Sequence, residues 1–304
     1  MKILISGASG VVGSAVTSHL VSQGFEIVRL VRRAPGDGEV FWDPDGGRID
    51  AQGLEGFDGV VHVASRSWNS RWSPAFKQAM RANHVGTIKL ISDALANSKR
   101  KPGVLVCASG MGIYPAGGDQ VITEDSPTGS DFLAKLQCDG EAAAARAISA
   151  GIRVVHLRLP MVLGGPALAA LAANAQRGFG RLGSGRQWSS WVARDELANI
   201  VHFVLETQSV TGPINACNPQ PVRNADFVDT LARILGCKPR FSIPAFMLRL
   251  MAGEMADALA LASRRMEPKR LLAAGYEFCF PELEIALRHE LANLQPELIN
   301  FQPV

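Results

Sequence analysis

Three glycines near the start of the chain have the spacing of a pyrophosphate-binding turn. Gly7, Gly10 and Gly13 follow a short apolar run, and a helical pattern of apolar residues continues after them. Glycines at these places permit a tight turn, let a pyrophosphate approach the backbone and let a helix pack against a strand, while the first N–H groups of that helix face the phosphates. We therefore predict a dinucleotide site, the alternative being a purely structural turn. The same turn also assigns three further residues to the site: Ser9, Val11 and Val12.

Two arginines follow the second predicted strand, residues 25–31. An NAD site usually carries an acid there, about 20 residues after the glycines, to hold the ribose 2′-hydroxyl. This chain has Arg32 and Arg33 instead, and no acid before Asp37. Because guanidinium groups attract a 2′-phosphate, we predict NADP as the cofactor. The alternative is a solvated strand end, which basic residues often occupy.

A glycine-rich loop later in the chain has the side chains of a substrate site. Arg186, Trp188 and Trp191 combine a cation with two indoles, which suits anion binding and stacking against a ring. We assign these three residues to the substrate side. No metal site is predicted, because the six histidines are scattered without HExxH and the five cysteines form no CxxC pair.

Alternating strands and helices position these residues. Apolar runs predict strands at 2–6, 25–31, 59–65, 104–108 and 153–159, a small hairpin within 40–51 and a short strand near 214–216. Helical patterns lie between them, including 74–96, interrupted at Gly86, and 132–149. This order predicts a parallel sheet with helices on both faces. The small residues that end the third strand, Val63, Ala64 and Ser65, would border the cofactor.

The composition is that of an ordinary globular protein. The chain has 304 residues, 47% hydrophobic and 19% charged, with a net charge of +3. So small a charge does not indicate a nucleic-acid surface, and no uninterrupted apolar stretch is long enough to span a bilayer. The first strand starts at residue 2, which leaves no room for a signal peptide. We expect a cytoplasmic protein whose partner is a small molecule, with no nucleic acid and no membrane; an oligomer stays open.

Several blocks of sequence resemble a known family. They are GASGVVG at 7–13, WDPDGGRID at 42–50, RWSPAFKQ at 71–78, LGSGRQWSSWV at 182–192, GPINACNPQPVRNADF at 212–227 and the segment 253–287. The chain is thereby similar to the extended, nucleotide-sugar-epimerase-like branch of the short-chain dehydrogenase/reductase superfamily, and within it to the atypical epimerase-family proteins. This resemblance implies an α/β fold with a Rossmann-type doubly wound parallel sheet and a smaller, mainly helical C-terminal lobe. It implies an NADP-binding domain at 1–218, with 165–195 contributing to the substrate side, and a lobe at 219–304.

The resemblance also implies a Tyr-x-x-x-Lys pair, which this chain lacks. The tyrosine place is Leu133 and the lysine place is Gln137, counted back from Glu141, the acid of the family helix. Ser109 fills the position of the family's substrate-orienting serine, and we assign it to catalysis. Tyr114 is a second catalytic candidate, since its phenol could point toward the nicotinamide; the alternative is a packing residue.

Further roles follow from the resemblance. Asn83 and His84 would face the cofactor, with an exposed helix histidine as the alternative for His84. Arg158 would lie beside the nicotinamide and pair with an anion. Glu124 and Asp125 are expected at a helix start or in solvent. Asp195 would cap the helix that follows, while Ala193 replaces a family histidine.

Two functions fit this sequence. The first is an NADP-dependent epimerase- or oxidoreductase-like enzyme with a non-standard active site, acting on a small substrate that could be nucleotide-linked. The second is an NADP-binding regulatory or scaffold protein without turnover. Ser109 and the Arg186 loop favour the first, and the missing Tyr-Lys pair favours the second.

Overall fold

Buried apolar segments build a central sheet around which the helices pack. The computed structural model describes residues 1–67 and 70–294. The strands within the described residues are β1 (Lys2–Ser6), β2 (Glu26–Val31), β3 (Glu39–Asp43), β4 (Arg48–Ile49), β5 (Gly59–His62), β6 (Val104–Gly110), β7 (Val121–Ile122), β8 (Arg153–Leu159), β9 (Met161–Leu163), β10 (Phe179–Leu182), β11 (Trp188–Ser189), β12 (Trp191–Ala193), β13 (Gly212–Asn215), β14 (Val222–Arg223), β15 (Phe241–Ile243) and β16 (Arg265–Met266).

Helices of the described residues pack on both faces of this sheet. They are α1 (Val11–Ser22), α2 (Pro74–Asn97), α3 (Phe132–Ala142), α4 (Ala145–Ser149), α5 (Gly165–Gln176), α6 (Arg194–Glu206), α7 (Asn224–Ile234), α8 (Ala245–Ala252), α9 (Lys269–Ala273) and α10 (Leu283–Ala292). Among the described residues, none of these helices is both long and apolar enough to cross a bilayer.

The strand order of the eight-stranded sheet is β13-β8-β6-β5-β1-β2-β3-β4. Its neighbours pair in parallel except β3 and β4, which form the predicted antiparallel hairpin. Chain order reverses at β1, which lies between β2 and β5. In such sheets a ligand binds at this switch point, outside the carboxyl ends of the strands. The predicted doubly wound fold is confirmed.

The predicted bounds of strands and helices agree best with the structure where the apolar pattern is strong. The strands β1 and β8 have the predicted bounds. The third strand, predicted to reach Ser65, stops at His62. The predicted interruption at Gly86 is wrong, because α2 runs straight through it. The single helix predicted over 132–149 is two helices, α3 and α4, separated at Ala143 and Ala144.

The C-terminal part of the chain packs on β7 and on the segment that follows β6. Strand β16 pairs with β7, and the Arg264 guanidinium donates from Nε to the carbonyl oxygen of Tyr114 at 2.9 Å. The carboxylate of Glu124 is buried and accepts from the backbone N–H groups of Asn215 and of Arg270 in the first turn of α9. Glu124 therefore satisfies a helix start, as expected, but on a helix distant in sequence. Residues 295–304 of the predicted lobe lie outside the described residues.

Candidate functional site

The turn between β1 and α1 leaves no room for a side chain at Gly7 or at Gly13. Gly7 has φ +76°, and a Cβ there would lie 2.7 Å from the Cα of Ala64. A Cβ on Gly13 would lie 2.0 Å from the carbonyl oxygen of Gly7. Helix α1 starts at Val11, and no side chain caps its N-terminal N–H groups. A tight glycine turn with an uncapped helix start fits a pyrophosphate.

The other predicted members of the cofactor site converge on the same turn. Ser9 and Val11 are exposed on it, while Val12 is half-buried. The segment after β5 lies alongside, because the N–H of Val63 donates to the carbonyl oxygen of Ser6 at 3.2 Å and Ala64 contacts Gly7. Ser65 follows, and its hydroxyl donates to the carbonyl oxygen of Arg66. The structure thus brings the ends of β1 and β5 together at the switch point.

The two arginines after β2 have different surroundings. Arg33 donates two hydrogen bonds to the Glu39 carboxylate, at 2.7 and 2.6 Å, so its charge is already balanced. Arg32 is exposed, and it makes no ion pair within the described residues. Of the predicted pair, Arg32 is therefore the guanidinium that remains available for a 2′-phosphate.

A buried polar network crosses the carboxyl ends of β6, β8 and β13. The Ser109 hydroxyl donates to Glu141 at 2.9 Å, and the Glu141 carboxylate accepts two hydrogen bonds from Arg158, at 2.9 and 2.8 Å. Arg158 also donates to the Tyr114 hydroxyl, which in turn donates to the Asn215 side chain, each at 2.7 Å. All three strand ends are thereby tied to α3, which carries Glu141.

This network corrects two predicted roles. Arg158 is paired with Glu141 and does not offer a free charge to a cofactor or substrate anion. Tyr114 is fully buried and its hydroxyl is engaged on both sides. Burial raises the pKa of Tyr114 to about 12, although Arg158 opposes the shift. The interpretation of Tyr114 as a packing residue therefore fits this environment better than the interpretation as a phenol that faces the nicotinamide.

Charge balance explains how the network tolerates burial. Burial acts to raise the pKa of Glu141, but the hydrogen bonds and charge of Arg158 outweigh it and hold this pKa below its usual value. Burial acts to lower the pKa of Arg158, and Glu141 more than compensates, so this pKa is raised. Both groups are therefore charged at neutral pH.

The positions of the missing Tyr-Lys pair lie beside this network. Leu133 is buried, and a Cβ added to Gly112 would lie 3.0 Å from its Cβ. Gln137 is also buried, and its side-chain oxygen lies 3.3 Å from the Ser109 hydroxyl. An amide there can contact Ser109 but carries no charge.

His84 is packed under α3, whereas Asn83 is half-buried next to it on α2. The Nε2 atom of His84 is buried without a hydrogen-bond partner among the described residues. Burial lowers the pKa of His84, and the nearby Gln137 side chain and Glu141 charge oppose this only in part. The alternative of an exposed helix histidine is wrong, while contact of either residue with a cofactor stays a prediction.

Gly140 of α3 makes room for this imidazole and provides a test of the packing. A Cβ there would lie 2.4 Å from Nε2 of His84. Gly140→Ala should therefore lower the free energy of unfolding by about 1–3 kcal/mol, despite the better helix propensity of alanine. Urea denaturation measures the change.

The matched control is Gly86→Ala in α2, where an added Cβ has nothing within 4 Å. This variant should be more stable than the unmodified protein by about 0.5–1 kcal/mol, through helix propensity alone. Equal stabilisation by both substitutions would show that His84 is not packed against Gly140.

The predicted substrate-side aromatic residues are less available than expected. Trp191 is fully buried, and its indole N–H donates to the carbonyl oxygen of Gln220 at 2.9 Å, so the prediction that it stacks on a ligand is wrong. Trp188 is half-buried between two guanidinium groups: Arg223 lies 4.0 Å and Arg265 4.8 Å from its ring centroid. Arg186 is exposed, as predicted.

A cluster around the start of α6 joins it to α10. The N–H of Asp195 donates to Glu290 at 3.2 Å, and His289 lies 2.8 Å from the Asp195 carboxylate. Asp195 is thus in the first turn of α6 and is not its cap. The possible ligand atoms of Asp195, His289 and Glu290 lie within 4.8 Å of one another, but Arg194 approaches both carboxylates, at 3.1 and 3.7 Å. Protein charge already balances this cluster, and the absence of a metal stays a prediction.

Sequence reasoning missed the roles of Glu141 and Asn215. Arg158 could have indicated the role of Glu141, because a charged residue within an apolar, buried strand requires a buried partner of opposite charge. Its partner lies 17 residues earlier in the chain, on α3. The Asn215 side chain is bonded to a tyrosine 101 residues away, and no local pattern indicates such a contact.

One larger opening lies away from this site. Its volume is about 510 Å³, and Met1, Asp58, Gly103 and Arg153 line it at the amino ends of the strands. Since ligands of doubly wound sheets bind at the carboxyl ends, we assign it no role.

Comparison with known proteins decides the family. Residues 3–217 match the NAD dependent epimerase/dehydratase family. The chain belongs to this family. Residues 243–290 match a second family model, a domain of unknown function, DUF1731.

Relatives of similar length align with nearly the whole chain. The chain is 34% identical over 281 residues to an epimerase family protein of Mycobacterium tuberculosis, covering 91% of this chain and 93% of that one. It is 31% identical over 299 residues to the human epimerase family protein SDR39U1, covering 96% and 100%. These matches confirm the resemblance to atypical epimerase-family proteins.

Two solved structures are similar over nearly the whole chain. The crystal structure of human SDR39U1 with NADPH has a TM-score of 0.89 at 31% identity, covering 97% of this chain and all of that one. A nucleoside-diphosphate sugar epimerase of Corynebacterium glutamicum has a TM-score of 0.79 at 32% identity, covering 99% of this chain and 60% of that one. The NADPH in the human relative agrees with the cofactor predicted from Arg32 and Arg33.

Proposed function

We propose that this epimerase-family chain binds NADP(H) and transfers a hydride between it and a small substrate, without the family's Tyr-Lys pair. The observation that carries the proposal is the joint position of the glycine turn, the exposed Arg32 and the Ser109 network, all at the carboxyl edge of the sheet. The human relative crystallised with NADPH supports the cofactor.

The chain's own residues would hold the cofactor in a defined way. The turn Gly7–Gly13 and the N–H groups of α1 would bind the pyrophosphate, and Arg32 would bind the 2′-phosphate. When bound, NADP(H) supplies the hydride. The small residues after β5, Val63 and Ala64, leave the edge beside the glycine turn open for the ribose.

Ser109 would orient the reacting oxygen of the substrate. Its hydroxyl lies at the end of β6 and is held by Glu141, whose own position is fixed by two hydrogen bonds from Arg158. A carboxylate that is charged and immobile keeps the hydroxyl in one orientation, with its hydrogen toward Glu141 and its oxygen able to accept a hydrogen bond from a substrate hydroxyl. Leu133 cannot transfer a proton, so proton transfer would come from water or from the substrate itself, and we expect slow turnover.

Ser109→Ala should leave the affinity for NADPH nearly unchanged and reduce turnover by roughly 10²-fold or more, the loss expected when the reacting oxygen is no longer positioned. The measurement is the loss of reduced-nicotinamide absorbance with a panel of aldehydes, ketones and nucleotide sugars, alongside calorimetric NADPH binding.

The control is Ser92→Ala, which removes another buried hydroxyl, bonded to the N–H of Ala147 at 2.9 Å. It should leave turnover unchanged. Tight NADPH binding without turnover of any compound would instead support the second function, a regulatory or scaffold protein.

A further inference from the structure

An apolar cavity lies between α5, α7, β10 and β15. Its volume is about 130 Å³. Eleven of its fifteen lining residues have apolar side chains, among them Leu171, Ala175, Phe227, Val228, Leu231 and Ile243. An engineered cavity of about 150 Å³ with a similar lining stays dry and binds benzene. The space is thus of the size and character of a single small ring or a short hydrocarbon branch.

The wall has three polar side chains, those of Asn174, Ser189 and Asn224. The Asn224 side-chain oxygen accepts from the N–H of Leu182 at 2.9 Å, and Ser189 lies on β11, which pairs with β14. Asn174 is exposed at the rim. No charged residue lies among the described residues that line the cavity. A phosphate placed there would lose its hydration without gaining a cation.

The nearest arginines in sequence have other partners. Arg181 of β10 donates to Asp229 at 2.8 Å, and Arg223 of β14 donates to Asp119 at 2.6 Å. Drawing either guanidinium into the cavity would leave its carboxylate partner unpaired. Neither of these two guanidinium groups is therefore available to a diphosphate inside the cavity.

The cavity is close to the candidate active site. Met161, which lines it, is only three residues after Arg158, a separation of at most about 11 Å along an extended chain. Its outer rim includes Phe179 and Leu259, both partly exposed, and the exposed apolar residues of α8 continue from there. A ligand could therefore have an apolar group in the cavity and a reactive group near Ser109.

We propose that this cavity binds the apolar group of the ligand, a small ring or branched hydrocarbon, and that it does not bind a nucleotide. The assignment of that ligand as the substrate rests on the proposed function. The binding of an apolar group in the cavity does not rest on the proposed function, and it can be measured without any turnover.

The probe is toluene, with uridine diphosphate (UDP) as the polar counterpart, each titrated calorimetrically into the full chain. Toluene should bind saturably, and UDP should not. Ala175→Leu, which fills the cavity from α5, should weaken toluene binding at least tenfold. The matched control, Ala173→Leu, is on the same helix outside the wall and should change the affinity less than twofold. If Ala175→Leu does not fold, Val228→Phe serves as the second filling variant.

Xenon locates the site in the unmodified protein. A crystal pressurised with xenon should show the atom between Phe227 and Leu231, because xenon enters dry apolar cavities. Absence of xenon there, or UDP binding that Ala175→Leu removes, would overturn the proposal. Toluene binding with no turnover of any carbonyl compound would instead defeat the proposed function and leave the apolar site standing.

Discussion

Replacement of Arg158 by methionine should lower the free energy of unfolding by about 3–5 kcal/mol, because it leaves the Glu141 carboxylate buried without its cation. The pair has little solvent exposure, with 7% of the Arg158 and 15% of the Glu141 side chain accessible. Ser109 and Tyr114 would each lose part of their hydrogen bonding as well. Urea denaturation of the two proteins measures the difference.

A surface pair provides the control. Arg288 is exposed and bonded to Glu284 one turn away on α10. Arg288→Met should cost at most about 0.5 kcal/mol, as expected for an exposed helical ion pair. Removing both members of the buried pair, as Glu141→Leu with Arg158→Met, should be less harmful than Arg158→Met alone, since no unpaired charge remains.

The difference in stability between the unmodified protein and Arg158→Met should also depend on pH. The folded-state pKa of Glu141 is depressed in the unmodified protein, so its contribution to stability is present above the unfolded value of about 4.3 and is lost as pH falls through the folded value. In Arg158→Met, burial would raise this pKa, so that variant gains stability as pH falls. The two stability curves should therefore converge in acid. A gap that stays constant down to about pH 3 would contradict a charged Glu141.

Replacement of Arg32 by alanine should weaken NADPH binding roughly 10- to 100-fold and leave NADH binding nearly unchanged. The loss of one charge-assisted contact with the 2′-phosphate corresponds to about 1.5–3 kcal/mol. Fluorescence titration of the reduced nicotinamide measures both affinities.

The neighbouring arginine is the internal comparison. Arg33 is held by Glu39, whose pKa is lowered by the hydrogen bonds from Arg33, and Arg33→Ala should reduce NADPH affinity much less than Arg32→Ala. A larger effect at Arg33, or equal losses of NADPH and NADH affinity at Arg32, would place the 2′-phosphate elsewhere.

The sequence predicted the sheet and the glycine turn because both depend on local patterns. Apolar runs identify buried strands, and Gly7 and Gly13 are required by contacts within a few residues of the turn or with the adjacent strand. Helix α2 shows the limit of local rules: an interior glycine suggests an interruption, but at Gly86 the helix continues because propensity is a weak effect beside packing.

The partners of polar residues could not be predicted in this way. Arg158 and Trp191 were assigned to ligands because a cation or an indole near a cleft often binds one. The structure pairs the first with Glu141 and buries the second against the carbonyl oxygen of Gln220. Periodicity tells which face a residue occupies and does not tell which distant residue shares that face.

The hydrogen bond that Arg264 donates to Tyr114 and the one that Glu290 accepts from Asp195 have a consequence for biosynthesis. Residues 3–217 leave the ribosome before either partner has been made, so the Tyr114 carbonyl oxygen and the start of α6 must wait for chain synthesised later. A nascent chain that ends near residue 220 should therefore expose these groups and be sensitive to proteolysis at both places.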